Sequence, residues 1–262
     1  MKILGVRYDN LLRSEALTRS LSFVKQSGKS NIFFLNLDCL RQACRDPEYR
    51  AILNEAALVL PDGIGLELAT RIFGGRMKDN CNGTDFSPVF IKAAAEQRTS
   101  FFLLGGREGV AEKAADRLRE RVPGVHIAGT YSGYFESESE MIDQINASGA
   151  DVLLVAMGVP LQEKFIARHR AALNPRLCFG VGALLDYLSD TIPRAPQWMI
   201  RLHFEWLWRI FIEPRRMICR YLIDGVGFFI NLLLSRLMQW ATKMIGWGDR
   251  SVSLKFNDEV NA

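Results

Sequence analysis

Phe101-Phe102-Leu103-Leu104-Gly105-Gly106-Arg107-Glu108-Gly109, continued as Val110-Ala111-Glu112 to Arg121, is the stretch on which the fold class turns. Phe101–Leu104 is a short apolar run of the kind that forms a buried strand. Over Glu108–Arg121, Val110, Ala114, Ala115 and Leu118 recur at helical spacing beside charged residues, which predicts an amphipathic helix. Ile32–Leu35, Leu58–Leu60, Val152–Ala156 and Leu177–Val181 are further apolar runs, and Glu48–Ala57 is a second clear helical pattern. Apolar strands alternating with amphipathic helices predict an α/β fold, a mostly parallel sheet with helices on both faces. Pro193-Arg194-Ala195-Pro196 ends the alternation. Three parts are expected: an α/β domain over 1–195, a helical appendage over 196–250, and a polar tail over 251–262.

The chain has 262 residues, with 48% hydrophobic and 24% charged. That composition belongs to a folded globular protein and excludes a disordered chain or a disulfide-stapled mini-protein. The net charge is +4, too small for wholesale nucleic-acid binding. Between Arg194 and Arg220 lie six arginines (Arg194, Arg201, Arg209, Arg215, Arg216 and Arg220) against Glu205 and Glu213, so the excess charge sits in the appendage. The cysteines number five, with no C-x-x-C pair, and the N-terminus lacks a secretory apolar run. Both features predict reduced thiols in the cytoplasm. Gly225–Ser235 is an apolar run of only 11 residues between Asp224 and Arg236, well short of the ~20 that a spanning helix needs.

Ligands of open α/β sheets bind beyond the carboxyl ends of the strands. The segments expected there are Asn36-Leu37-Asp38, Pro61-Asp62-Gly63-Ile64-Gly65, Gly105-Gly106, Met157-Gly158-Val159-Pro160-Leu161-Gln162-Glu163 and Gly182-Ala183-Leu184-Leu185-Asp186. Glycines in four of these five loops favour a nucleotide or nucleotide-sugar pocket over plain turn chemistry. The dinucleotide fingerprint is broken, since Gly180-Val181-Gly182 is followed by Leu185 where the third glycine belongs. No Walker sequence is present.

Asp62 reads either as a general base at a strand end or as the N-cap of a helix over Ile64–Phe73. Asn36 and Asp85 carry the same ambiguity. His126, His169 and His203 do not cluster, and no Asp-x-Asp pair exists, so no metal site is expected. A departing diphosphate would then be met by arginines or backbone N–H groups. In the appendage, Trp198, Phe204, Trp206, Trp208 and Phe211 alternate with Arg201, Arg209, Arg215 and Arg216, and an apolar stripe runs through Phe228, Phe229, Leu232, Leu233, Leu237, Trp240 and Met244. This pattern suits an anionic membrane surface, with a buried helix, a homo-oligomer seam and base stacking on nucleic acid as the alternatives.

These residues together, in order and spacing, resemble the WecG/TagA/CpsF family of glycosyltransferases over about residues 1 to 222. The resemblance is carried by Asn36, Pro61-Asp62-Gly63-Ile64-Gly65, Gly83-Thr84-Asp85, Leu104-Gly105-Gly106, Gly133-Tyr134-Phe135, Met157-Gly158-Val159-Pro160 with Gln162-Glu163-Lys164, Gly180-Val181-Gly182 with Asp186, Arg194-Ala195-Pro196, and Glu205-Trp206-Leu207-Trp208-Arg209 with Glu213-Pro214. It implies a Rossmann-like α/β fold and an inverting, metal-independent enzyme without a cofactor. Such an enzyme moves a hexose or N-acetylhexosamine from a UDP-sugar donor to a polyprenyl-diphosphate-linked acceptor at the inner face of a bacterial membrane. It implies Asp62 as base with Asn36 beside it. Gly105, Gly106, Gly158, Gln162, Glu163, Gly182 and Asp85 are expected around the donor, and Arg194, Arg209, Arg215 and Arg216 on the diphosphate. The chain departs from the family pattern at Asn80 (often Arg), Phe34 (Thr in some members) and Asp190 (usually Gly), all expected near the sugar. Loss of the Arg at Asn80 favours a neutral hexose over a uronate. The competing classes are a nicotinamide-dependent oxidoreductase and a non-catalytic membrane adaptor.

Overall fold

The computed structural model describes residues 1–201, 204–218 and 225–244. Arg220, His203 and the tail 251–262 lie outside the described residues, as do the side chains of Arg216, Trp240 and Met244. The chain opens with a hairpin of β1 (Lys2–Ile3) and β2 (Val6–Arg7), followed by α1 (Arg13–Lys25), β3 (Ser30–Leu35), α2 (Leu37–Arg45), α3 (Pro47–Glu55), β4 (Leu58–Pro61) and α4 (Ile64–Ile72). Next come α5 (Gly83–Ala95), β5 (Ser100–Gly105), α6 (Val110–Arg121), β6 (His126–Tyr131), α7 (Glu138–Ala147), β7 (Val152–Ala156), α8 (Leu161–His169), β8 (Leu177–Gly180) and α9 (Leu184–Leu188). The appendage supplies α10 (Gln197–Arg201), α11 (Glu205–Ile212), α12 (Pro214–Ile218) and α13 (Val226–Met244).

The main sheet has six parallel strands in the order β4-β3-β8-β7-β5-β6. Period-two alternation divides its side chains between two cores. Ile32, Phe34, Phe101, Leu103 and Phe179 face α1, α5, α6 and α9. Phe33, Leu35, Phe102, Leu104 and Cys178 face α2, α3, α4, α7 and α8. Every residue of β5 is buried, which explains why the strand reads as a continuous apolar run rather than an alternation.

Topology locates the crevices. From β5 the chain moves outward to β6, whereas from β7 it moves the opposite way to β8, so β5 and β7 flank a switch point. A second opening lies between β3 and β8, whose exit helices α2 and α9 pack on opposite faces of the sheet.

Two local differences from the sequence reading have simple causes. The helix after β5 begins at Val110 rather than Glu108, because Gly109 caps it in the left-handed conformation (φ 79°). Arg107 and Glu108 therefore stay in the loop. The N-terminal hairpin turns on Leu4 and Gly5, both at positive φ, and its two-residue strands are too short to show a period.

The appendage is not a free arm. Phe228 and Leu232 of α13 are buried in the same core as Leu66 and Ala69 of α4. Ala195 and Met199 are buried as well, and the Trp208 indole N–H donates to the Pro193 carbonyl at 3.0 Å. Among the described residues no helix is long and apolar enough to cross a membrane.

Candidate active site

Strands β4, β3 and β8 end side by side, and their ends carry Asp62, Asn36 and Gly182. Asp62 continues the sheet through its backbone, its N–H donating to the Leu35 carbonyl at 2.8 Å. Its side chain does not cap α4, because Gly63 takes that position at a positive φ of 87° and makes no side-chain cap. The helix-cap alternative therefore fails for Asp62, and its carboxylate is left for other work. The Asn80 carbonyl oxygen Oδ1 accepts from the Gly63 N–H at 2.9 Å and holds this turn.

Asn36 does cap its helix. Its Oδ1 accepts from the Cys39 N–H at 2.9 Å, which aims the side chain along the strand end. Asp85 lies in the first turn of α5, where Asn82 is the cap. The Asp85 carboxylate pairs with the Arg194 guanidinium. Ion pair and cap thus fix the loop at residue 194 against α5.

The appendage completes the surroundings of Asp62. Helix α11 brings Glu205 and, one turn later on the same face, Arg209. Arg209 Nε donates to the Tyr187 hydroxyl at 2.6 Å, and its guanidinium carbon lies 5.0 Å from the centre of the same ring. This tie anchors α11 to α9. Burial pushes the Asp62 carboxyl up to about 7; the Glu205 charge adds to the rise, and Arg209 opposes it with the Gly83 N–H. A carboxylate with that proton affinity suits a general base at neutral pH. Glu205 is also raised, first by burial, against the pull of Arg194 and Arg209.

The remaining expected residues divide into two groups. Gly105 and Gly106 serve close backbone packing at the β5–β7 switch point. A Cβ on Gly105 would lie 2.3 Å from the Ala156 carbonyl oxygen, so only glycine fits there. Gly158 and Gly182 adopt positive φ beside open space. Beyond Gly106, a cavity of about 890 Å³ is lined by Arg107, Glu108, Thr130, Tyr131, Ser132 and Tyr134 among others, a size within the range of small-molecule sites. Arg215 lies exposed on α12.

Gln162 and Glu163 are buried rather than pocket-facing, at 2% and 0% exposure. Their expected place against the donor becomes an indirect one. Gln162 Oε1 accepts from the Gly182 N–H at 2.9 Å, and its Nε2 donates to Glu163 Oε1 at 2.8 Å. The pair therefore props the loop after β8 from beneath. Glu163 Oε2 has no hydrogen-bond partner among the described residues, and burial raises this carboxyl to about 7. The folded state thus holds the Glu163 proton more tightly than the unfolded chain. Stability present at acid pH is lost as pH rises from the ordinary Glu range through about 7. Glu163→Gln keeps an acceptor for Gln162 and removes that loss. In urea titrations its stability relative to wild type is expected to rise by on the order of 1–3 kcal/mol between pH 5 and pH 8. A difference that stays constant with pH would contradict this account.

The three departures are placed as follows. Asn80 holds the turn after Asp62. Phe34 stacks on Phe179 at 5.3 Å between ring centres and meets Phe86 edge-on. Asp190 follows α9 and turns its side chain to α6. It sits at a positive φ of 57°, a conformation that favours glycine, and its carboxylate pairs with Arg117 and Arg121 of α6.

Residues 1–242 match the model of the Glycosyl transferase WecG/TagA/CpsF family. The chain belongs to this family. It is a glycosyltransferase, and the oxidoreductase and adaptor alternatives fall away. The WecG/TagA/CpsF relatives it is similar to include the N-acetylglucosaminyldiphosphoundecaprenol N-acetyl-beta-D-mannosaminyltransferases of Bacillus spizizenii and Bacillus subtilis. Each is 30% identical, over 79% and 74% of this chain and 81% and 76% of the relative. The Staphylococcus aureus enzyme of the same name is 27% identical over 82% of this chain and 85% of its own. Glu205 is a further candidate site residue, beyond those that residue type and position in the sequence indicate. In the sequence it is one of two acids in the arginine-rich segment and the first residue of the Glu205–Arg209 motif, and the signal that finds it is its helical spacing from Arg209.

Proposed function

We propose that this glycosyltransferase moves a hexose or N-acetylhexosamine from a UDP-sugar onto a sugar linked to polyprenyl diphosphate, inverting the anomeric centre in one displacement. The observation that carries the reading is Asp62: freed from capping, raised towards neutrality, and set at a strand end with an arginine beside it. In this reading Asp62 takes the proton of the acceptor hydroxyl as that oxygen attacks the anomeric carbon. Arg209, with Arg194 and the appendage arginines Arg215 and Arg216, meets the charge that develops on the departing diphosphate. Asn36 orients the acceptor or the sugar. The glycine loops after β5, β7 and β8 face the donor, with the cavity at Arg107 and Tyr134 on the nucleotide side. The apolar neighbourhood of Phe34 and the use of Asn80 as a turn partner support a neutral donor sugar.

The appendage supports a peripheral place on the cytoplasmic membrane face. Val226, Ile230, Leu233, Leu234 and Leu237 form an exposed apolar row on α13, opposite the row buried on α4. Trp198, Trp206 and Phe211 are exposed on the preceding helices, with Arg201 and Arg215. Apolar rows bordered by basic residues suit the interface of an anionic bilayer, where a well-placed Arg is worth roughly 1 kcal/mol. A second copy of the chain covering α13 is the competing occupant, and it would show as a concentration-dependent dimer.

The test is a transfer assay with a panel of UDP-hexoses and a short polyprenyl-diphosphate-linked N-acetylhexosamine. One neutral donor should support turnover, and excess EDTA should leave the rate unchanged. Strict dependence on Mg²⁺ or Mn²⁺ would show that arginines are not the main stabilisers of the leaving group.

A further inference from the structure

The glycines that follow β8 have a side chain seated beneath them. Gly180 ends the strand, paired with Val155 of β7. A Cβ on it would lie 3.0 Å from Gln162 Nε2 and 3.0 Å from Phe33 Cδ1, so glycine leaves the room that the Gln162 amide fills. Gly182 adopts a positive φ of 60°, and its N–H donates to Gln162 Oε1 at 2.9 Å. Nothing lies within 4 Å of where a Gly182 Cβ would point, so this backbone borders open space at the strand end. Helix α9, which starts two residues on, has no side-chain cap. Gln162 also reaches the neighbouring loop, its own N–H donating to the Gly158 carbonyl at 3.0 Å. One residue at the start of α8 therefore joins the loops after β7 and β8. The direction of these bonds fixes the amide. A backbone N–H can only donate, so Gln162 presents its oxygen to Gly182 and its nitrogen away from it. That nitrogen meets Glu163, whose Oε1 accepts from Gln162 Nε2 at 2.8 Å. Glu163 is fully buried, and its Oε2 has no hydrogen-bond partner among the described residues. An apolar residue there would avoid the unpaired oxygen but would strand the buried Gln162 nitrogen instead. The use of the carboxyl is thus to hold the amide.

We propose that Glu163 is a positioning residue for the donor, a buried acceptor that sets the Gln162 amide and, through it, the backbone after β8 against the donor diphosphate. The proposal rests on the reading that this loop faces a UDP-sugar. Strand order gives the loop its part. In the sheet, β7 and β8 stand between β5, beside the cavity at Arg107 and Tyr134, and β3 and β4, which carry Asn36 and Asp62. A donor with its nucleotide at that cavity and its anomeric carbon near Asp62 lays its diphosphate across the loops that Gln162 joins. Glu163 touches no reactant, and no covalent step passes through it. It keeps the Gly182 loop in one conformation before the donor arrives, so that the cost of ordering the loop is not taken from binding. Its loss should therefore weaken binding of the nucleotide more than it slows the chemical step.

The experiment compares the full-length wild type with Glu163→Leu, which removes the acceptor, Glu163→Gln, which keeps one, and Gln162→Met, which breaks the tie to Gly182 from the other end. Three quantities are read: the Kd of UDP by titration calorimetry, KM for the donor against kcat, and hydrogen exchange of the Gly182 amide by NMR. Glu163→Leu should weaken UDP binding and raise the donor KM about tenfold, the worth of one buried hydrogen bond, while kcat changes far less. The Gly182 amide should exchange faster by a similar factor. Glu163→Gln should restore all three towards wild type. A merely structural Glu163 would lower the melting temperature of Glu163→Leu and leave UDP binding and Gly182 exchange as they were, and that result overturns the proposal. So does a Glu163→Gln that binds UDP as weakly as Glu163→Leu, because the acceptor would then not be what matters. If Glu163→Leu does not fold, Gln162→Met carries the test, and undiminished UDP binding in it overturns the proposal as well. A wild type that neither binds UDP nor turns over any UDP-sugar removes the proposed function, and this proposal with it. A wild type that binds UDP, beside a Glu163→Leu that loosens Gly182 without weakening UDP, rejects the role of Glu163 alone.

Discussion

Asp62→Asn is expected to lose on the order of 10²–10⁴-fold in turnover, the usual worth of a positioned general base. Binding of the UDP-sugar should change little, since the replacement amide has nearly the same shape and the nucleotide is proposed to lie elsewhere along the strand ends. The structure sharpens what this variant tests. Because Gly63 and not Asp62 caps α4, the substitution takes no cap from that helix, and the amide oxygen can still accept from the Gly83 N–H at the start of α5, so a large loss of turnover cannot be assigned to fraying of α4. The variant should also be at least as stable as wild type at pH 8. The folded state holds the Asp62 proton more tightly than the unfolded chain, so ionising it as pH rises through about 7 costs stability that the amide does not lose. Turnover measured at saturating donor, with urea unfolding at pH 5 and pH 8, checks both halves. Near-normal turnover would remove Asp62 from the mechanism.

Ending the chain after Pro196 should have the second large effect. It removes Arg209 and Glu205 from beside Asp62 and takes away the exposed apolar row of α13. Transfer is expected to fall to background even on a short, soluble acceptor, and binding to anionic vesicles should disappear. Phe228 and Leu232 leave with the appendage and uncover the face of α4 that runs on from Asp62 and Gly63. Some loss of stability is therefore expected as well, and circular dichroism of the shortened chain must show that the α/β domain is still folded. Arg209→Gln in the full chain separates the two causes. It leaves the α13 packing intact and should still cut turnover strongly. A shortened chain with full activity on the soluble acceptor would confine catalysis to the α/β domain and refute the part given to the appendage arginines.

Much of this was legible along the chain because it depends on local periodicity. The apolar runs that became β3, β4, β5, β7 and β8 are continuous because both faces of the sheet are covered, and their ends were found within a residue or two. Strand ends carry the ligands of such sheets, so Asn36, Asp62 and Gly182 could be picked from position alone. Short hairpin strands left no such trace. Likewise, no local rule distinguishes a glycine that cradles a ligand from one that lets two strand ends touch, as Gly105 does against Ala156. Burial was equally silent: Gln162 and Glu163 open α8 in a motif that reads as donor-facing, yet their side chains are buried beneath the loop after β8.

The sequence by itself determined the α/β class, the break at Pro193–Pro196, the basic and aromatic character of the appendage, and the candidate strand-end residues, all of which follow from residue type and spacing. Only the tertiary structure decided what Asp62 is free to do, because capping is settled by the backbone of Gly63 and not by the presence of an aspartate. Only the tertiary structure placed Glu205 and Arg209 beside Asp62, across most of the chain's length. Proton affinity and charge pairing depend on distance and burial, and these exist only once α11 is docked against α9 and the sheet edge.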